Sequence, residues 1–282
     1  MKALVTGGAG FIGSNLICSL ISKGYEITSI DNYSLGSVTN HNLKADYIAE
    51  DINNISSLKL KSFDFCFHLA AQSRVQPSFL NPEDSFRSNV SGTFNVLKWA
   101  RDNCDKLIYA GSSSRHHDHH SSPYASTKYI GEEICKLYKK AYNINIQIAR
   151  FYNVYGPNEP LDEKYGNIIG IWRNKLQQGK SLPIVGDGNQ RRDFTHVTDI
   201  VSGIIAIAES DKNHDDAWEL GSGVNYSVKD LLSMFKEKFD VNSHFIKDQP
   251  GNFKESLRVN NDSLKQLNWE PKDRLKDYIN SL

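Results

Sequence analysis

Short apolar runs and amphipathic stretches alternate through the first half of the chain. Ala3 to Val5 predicts a strand, and Phe11 to about Lys23, apolar at helical spacing, predicts a helix. Further strands are expected at Glu26 to Ile30, Asp46 to Ala49, Phe63 to Leu69 and Lys106 to Tyr109. The Phe63 to Leu69 run is almost continuously apolar or aromatic, the composition of a strand buried on both faces. Asn89 to Ala100 reads as a helix whose Val90, Phe94 and Leu97 form one buried stripe, and a long amphipathic helix is expected from Tyr124 to about Tyr142. Such alternation predicts an α/β protein with a parallel sheet covered by helices on both faces. No repeat or low-complexity segment interrupts it.

The turn after the first strand carries Gly7, Gly8, Gly10 and Gly13, with three of them spaced G-x-x-G-x-x-G. Glycines at a strand-to-helix turn let a pyrophosphate approach the main chain and let the helix pack closely on the strand. The helix N-terminus then points its free amides at the phosphates. The second strand ends in Asp31, eighteen residues past Gly13, where a carboxylate accepts bonds from an adenosine ribose and repels a 2′-phosphate. This favours NAD over NADP; the alternative is a glycine-rich turn that binds no nucleotide. The polar loop Asn32 to Gly36 suits the adenosine end of a dinucleotide. Asp51 either accepts a bond from the adenine amino group or caps the following segment.

Small residues end the fourth strand, Ala70-Ala71-Gln72, and either leave room for the ribose and phosphates or relieve crowding. Asn89 is either a helix cap or a polar contact to the strand ends. The fifth strand ends in Ala110-Gly111-Ser112-Ser113-Ser114, and ten residues later comes Tyr124-Ala125-Ser126-Thr127-Lys128. Spacing of four on a helix puts Tyr124 and Lys128 on one face. A tyrosine, with a pKa of about 10, is a poor base at neutral pH. A neighbouring ammonium and a cationic nicotinamide ring favour its phenolate and make it a usable proton acceptor. The alternative is a surface tyrosine beside a solvated lysine.

At 282 residues, the chain suffices for one large domain or a main domain with a smaller lobe. Hydrophobic residues at 39% and charged residues at 23% exclude a disordered chain, and 33 basic against 33 acidic residues give no field to attract nucleic acid or an anionic membrane. Cys18, Cys66, Cys104 and Cys135 form no C-x-x-C pair and are expected to be reduced packing residues of a cytoplasmic protein. No apolar run reaches the length of a membrane span, and the N-terminus enters the first strand without the pattern of a signal peptide.

Together these motifs resemble the extended short-chain dehydrogenase/reductase superfamily, and within it the nucleotide-sugar epimerases typified by UDP-glucose 4-epimerase. The likeness spans nearly the whole chain: TGGAGFIGSN (Thr6 to Asn15), Asp31-Asn32, HLAAQ (His68 to Gln72), GSSS (Gly111 to Ser114), PYASTK (Pro123 to Lys128), ARFYNVYGP (Ala149 to Pro157), GDGNQRRDFTHV (Gly186 to Val197) and LNWEP (Leu267 to Pro271). It implies a Rossmann-type doubly wound sheet over 1–156, with a returning segment at about 190–215, and a smaller C-terminal α/β substrate-binding lobe over 157–282. It also implies a homodimer paired through Asn89 to Ala100 and Tyr124 to Tyr142. NAD is implied to lie against Gly7, Gly10, Phe11, Ile12, Gly13, Asp31, Asn32, Asp51, Ile52, Leu69, Ala70, Ala71, Asn89, Tyr124, Lys128 and Phe151.

By the same resemblance Tyr124 is the catalytic acid/base, Lys128 holds the nicotinamide ribose, and Ser112 bonds the reacting hydroxyl, with Ser113 the second choice and a neighbour of the sugar. Asn153 and Arg192 match positions that bind the substrate diphosphate; read without the family, Arg192 and Asp193 form a surface ion pair. The implied reaction is NAD-dependent 4-epimerisation of a UDP-hexose or its N-acetyl form through a transient 4-keto sugar. Sugar 4,6-dehydratases follow the catalytic hydroxyl with an Asp-Glu pair; Ser113 and Ser114 stand there instead, which disfavours dehydration. Alternatives are a dehydratase, a keto-sugar reductase, or a non-catalytic dinucleotide-binding regulator.

Two stretches depart from the family pattern. Arg115-His116-His117-Asp118-His119-His120 is shorter than usual and lacks a Tyr-Gly pair. A loop so tight is expected not to turn its rings toward one ion, so no metal is expected; His116 or His117 contacts substrate, or the loop is a solvated turn. Gln249-Pro250-Gly251-Asn252 stands where relatives have Arg-Pro-Gly-Asp, which weakens a phosphate site or shifts it to Arg192 and Lys254.

Overall fold

The computed structural model describes residues 1–282. Its first half is β1 (Lys2–Thr6), α1 (Phe11–Ser22), β2 (Glu26–Asp31), β3 (Asp46–Ala49), β4 (Phe63–His68), α2 (Val75–Leu80), α3 (Pro82–Phe86), α4 (Thr93–Asn103), β5 (Cys104–Ser112), α5 (Pro123–Tyr142) and β6 (Ile146–Phe151). There follow β7 (Val154–Tyr155), α6 (Ile168–Gln177), β8 (Leu182–Val185), β9 (Arg191–Asp193), β10 (Thr195–His196), α7 (Val197–Glu209) and β11 (Trp218–Leu220). The chain ends with β12 (Asn225–Ser227), α8 (Val228–Lys238), β13 (Ser243–Ile246), α9 (Asp262–Leu267) and α10 (Leu275–Ser281).

Seven parallel strands form the central sheet in the order β3-β2-β1-β4-β5-β6-β11. The strand order reverses between β1 and β4, so the helices leaving these two strands diverge to opposite faces and open a crevice at the carboxyl ends. Alternation along β1 explains how both faces are covered. Ala3 and Val5 pack with Leu16, Ile17 and Leu20 of α1 and Ile200, Ile204 and Ile207 of α7. Leu4 points the other way, with Val96, Leu97 and Ala100 of α4 and Cys135 and Tyr138 of α5. Burying each such Leu or Ile contributes roughly 1.5–3 kcal/mol.

The stripe expected at Val90, Phe94 and Leu97 is corrected. Arg87–Gly92 forms a π-turn, which adds a residue per turn and rotates the residues before it relative to those after it. Leu97 remains buried, but Phe94 is 45% exposed and meets Tyr138 edge-on.

A separate apolar cluster joins Tyr155, Ile169, Trp172, Leu182, Ile184, Phe194, Val228, Leu231, Phe235, Leu275 and Ile279. Around it lie three two-stranded pairs, β10 with β7, β12 with β9 and β13 with β8. The chain returns to the central sheet through α7, which packs beside α1, and again through β11, which pairs with β6. Arg191–Asp193 pairs with β12, away from the central sheet.

Local chemistry fixes the start of α5. Pro123 occupies its first turn, and the Ser122 hydroxyl accepts the Ala125 N–H at 3.1 Å. The helix ends at Asn143, which adopts the left-handed conformation. Tyr124 is thereby held in the first turn, with Lys128 one turn further on.

Candidate active site

A cleft of about 690 Å³ opens at the carboxyl ends of the central strands, where the sheet order reverses. One end is built from the glycine turn. Gly7 has φ +75°, and a Cβ there would lie 2.8 Å from the Ala70 amide nitrogen; one on Gly13 would lie 2.2 Å from the Gly7 carbonyl oxygen. The strand-end alanines and the glycines therefore press backbone against backbone. No side chain caps α1, so its first-turn amides are free to meet an anion in the cleft.

Asp31 is buried at the end of β2 and accepts the Ala9 N–H at 2.9 Å and the Tyr33 N–H at 2.8 Å. Burial raises its carboxyl above the usual range, opposed by these two bonds. Asp51 is a cap, the second of its two alternatives: its Oδ1 accepts the Asn53 N–H at 2.9 Å at the start of a 3₁₀ turn, and the residue lines the cleft. Its Oδ2 is paired with Arg87 at 3.0 Å.

At the other end the Tyr124 hydroxyl donates to Ser112 Oγ at 3.2 Å. Ser112 Oγ also accepts from the Ser114 hydroxyl at 2.9 Å and the Ser114 N–H at 3.2 Å. These contacts hold Ser112 Oγ beside the Tyr124 hydroxyl on the wall of the cleft. The Ser112 N–H is held by Glu132 Oε1 at 3.4 Å, and Arg150 in turn grips both oxygens of Glu132. Ser112 is thus fixed through its backbone to a buried ion pair.

The Lys128 ammonium donates to the Ala110 carbonyl and lies 4.4 Å from the centre of the Tyr109 ring. Burial lowers its pKa to about 8. For Tyr124, burial raises the phenol above its ordinary value, while the Ser112 bond and the charge of Arg74 pull it down. Arg74 thus supplies a positive charge that favours the phenolate.

The remaining expected residues fall into two groups. Gly10, Phe11, Ile12, Asn32, Ile52, Leu69, Ala71, Phe151, Ser113 and Asn153 all line the cleft. Asn89 and Arg192 do not. Asn89 is buried, accepting the Gln72 N–H at 2.8 Å and donating to the Gln72 carbonyl and to Thr127 Oγ1, so it ties the end of β4 to α5. Arg192 donates to the Phe253 carbonyl at 2.9 Å and to Asn252 Oδ1 at 2.6 Å, and burial lowers its pKa to about 10. The alternative of an Arg192–Asp193 surface pair fails: Asp193 is fully buried and accepts backbone N–H bonds from Ser222, Gly223 and Arg258.

The histidine loop divides. His116 binds Glu219 at 2.9 Å within the buried network around Arg150, whereas His117 stacks on Phe253, a cleft residue, with ring centres 4.0 Å apart. Asp118, His119 and His120 bring their donor atoms within 4.8 Å of one another, which corrects the expectation that the tight loop keeps its groups apart. Consecutive residues manage this because a 3₁₀ turn begins at Asp118. Sequence reasoning missed Arg74, Arg87, Ser114 and Phe253. Arg74, two residues past HLAAQ, had a usable signal in its position; Phe253 is brought in from a distant segment and had none.

The sequence profile described as the NAD dependent epimerase/dehydratase family matches residues 3–221. The chain is 34% identical to a putative UDP-glucose 4-epimerase of Methanocaldococcus jannaschii, over 98% of this chain and 95% of that one. It superimposes with a TM-score of 0.91 on the UDP-glucose 4-epimerase of Thermotoga maritima solved with UDP-glucose, at 26% identity over 99% and 96% of the two chains. The UDP-glucuronic acid 4-epimerase of Bacillus cereus, solved with UDP-glucuronic acid and NAD, aligns with a TM-score of 0.88 at 29% identity, covering 99% and 96%.

Proposed function

The chain belongs to the NAD-dependent epimerase/dehydratase family, and from that premise we propose that it is a nucleotide-sugar 4-epimerase acting on a UDP-sugar. The observation that carries this reading is the 3.2 Å contact between Tyr124 and Ser112 at one end of a cleft whose other end is the glycine turn. The residues present fit NAD. The crowded glycines admit a pyrophosphate to the main chain, the uncapped α1 amides face it, and Asp31 offers a carboxylate to the adenosine ribose. Bound there, NAD⁺ would supply an acceptor for the hydride of the sugar's C4 and, once reduced, a donor for its return.

Tyr124 takes the proton of the sugar's 4-hydroxyl and later gives it back, so the same phenol is base and acid. Ser112 bonds the sugar oxygen and orients it against Tyr124. Lys128 holds the nicotinamide ribose. Asn153 serves the substrate diphosphate from the cleft wall, and Arg192 serves it through the cleft residue Phe253, whose carbonyl it holds. Ser113 and Ser114 are hydroxyls, and hydroxyls do not supply the carboxylate acid/base pair that dehydration needs.

The dinucleotide-binding part is proposed as 1–156 with a returning segment, and the substrate lobe as the rest. A homodimer paired through α4 and α5 is supported by exposed Phe94, Leu137 and Tyr142 on those helices; sedimentation as a 31.8 kDa species would overturn it. A reducing, cytoplasmic setting is supported by four free cysteines.

The function is tested by incubating the purified protein with UDP-, GDP- and dTDP-sugars and separating the C4 epimers. Tyr124→Phe is expected to abolish turnover while bound NAD remains. Near-normal epimerisation by that variant removes the mechanism.

A further inference from the structure

We propose that Arg74 makes the sugar subsite selective for a nucleotide sugar bearing a carboxylate, a uronic acid, over its neutral counterpart. The inference rests on the epimerase reading and names the substrate class of that same site.

Three cationic side chains line the cleft, and two of them have assignments within the chain. Arg87 is paired with Asp51 at the adenosine end, and the Lys128 ammonium is held by the Ala110 carbonyl. Arg74 uses only its Nε, which donates to the Tyr165 carbonyl at 2.6 Å. That bond fixes the plane of the guanidinium and leaves both Nη groups without a partner in the chain. No carboxylate lies within ion-pair distance of it, although the chain has placed nineteen such pairs elsewhere. Glu159, which bears on its electrostatics, is engaged by Arg173, Tyr278 and Asn167, and Asp162 caps the N–H groups of Lys164 and Tyr165.

Desolvation lowers the pKa of the Arg74 guanidinium, and an unpaired, partly desolvated charge is costly unless a ligand supplies the counter-charge. The fork of two free Nη groups matches the two oxygens of a carboxylate. Its location says which carboxylate. Arg74 opens α2, whose Ser78 hydroxyl accepts the Tyr124 N–H at 3.1 Å, and both Arg74 and Tyr124 line the cleft, so the guanidinium lies at the Tyr124 end, where its charge favours the phenolate. The dinucleotide phosphates belong to the glycine turn, and the substrate diphosphate is proposed to lie against Asn153, on the side of the cleft where Phe253 covers Arg192. At the reacting end of a nucleotide sugar the remaining source of an anion is a carboxyl substituent next to the carbon being epimerised.

The experiment compares kcat/KM of the holoenzyme for UDP-glucuronate and UDP-glucose, then repeats the comparison for Arg74→Met and Arg74→Lys. Because Arg74 also faces the phenol, either variant slows both sugars, and the ratio of the two kcat/KM values cancels that shared effect. The wild type is expected to favour the uronate, and the ratio to fall ~10–100-fold in Arg74→Met and less in Arg74→Lys, which keeps charge without the fork. As a second measurement, binding of the two sugars to the Tyr124→Phe holoenzyme is expected to show the same preference without turnover. Epimerisation of neutral sugars with no preference for the uronate, or an unchanged ratio in both variants, overturns the inference and leaves the epimerase standing. Absence of C4 epimerisation for every nucleotide sugar by NAD-loaded wild type overturns the epimerase itself, and this inference with it.

Discussion

Replacing Lys128 with methionine is expected to make the dinucleotide-free chain more stable while removing its activity. The side chain is 4% exposed, and burial lowers its ammonium from 10.5 to about 8. That difference corresponds to roughly 3 kcal/mol of destabilisation while the group is charged. The sign follows from proton counting. Below pH 8 Lys128 is protonated in both folded and unfolded chains, and the full penalty applies. Between pH 8 and 10.5 the unfolded chain holds the proton that the folded chain has released, so stability rises with pH and the penalty fades. Methionine keeps the apolar stem but loses the bond to the Ala110 carbonyl, which reduces the gain to about 1–3 kcal/mol at pH 7. Urea unfolding of both proteins without NAD, at pH 7 and again near pH 10, measures the gap. A variant less stable than wild type at pH 7, or a gap of the same size at both pH values, refutes the reasoning. A stability gain with lost turnover means that a buried charge is retained for chemistry and not for folding.

Ser112→Ala is expected to lower kcat by ~10²-fold, whereas Ser113→Ala, outside the Tyr124 contact, lowers it far less; comparable losses in both variants would contradict the assignment of Ser112. Gly13→Ala drives a Cβ against the Gly7 carbonyl at 2.2 Å and is expected to yield protein that purifies without NAD, read from its absorbance after denaturation. Arg150→Met leaves Glu132 and Glu219 buried without their cation and is expected to destabilise the fold by about 3–5 kcal/mol in urea unfolding. Its kcat should also fall, since the Ser112 amide loses its fixed acceptor.

The sequence by itself determined the parallel sheet, the glycine turn, Asp31 at the end of β2, and the pairing of a serine-tipped strand with Tyr124 and Lys128. Each of these depends on short-range rules: strand and helix periods, the backbone freedom of Gly7, and a spacing of four on a helix capped by Ser122. Tertiary structure decided where charges point. Nothing local to Lys128 says that its ammonium meets the Ala110 carbonyl, and nothing local to Arg74 says that its guanidinium meets the Tyr165 carbonyl, since both follow from packing between distant segments. The π-turn at Arg87–Gly92, which no periodicity announces, took Val90 out of regular helical phase with Leu97, while Phe94 lies at the edge of the face that α4 buries through Thr93, Val96, Leu97 and Ala100. Asn89 and Arg192 carry the residue types of a binding site, yet their partners are chosen by the residues folded against them, Gln72 and Thr127 for one and Asn252 and Phe253 for the other. Sequence sets the backbone because its forces act over a turn or two, whereas the direction of a charged side chain depends on what the whole fold brings within a few ångströms of it.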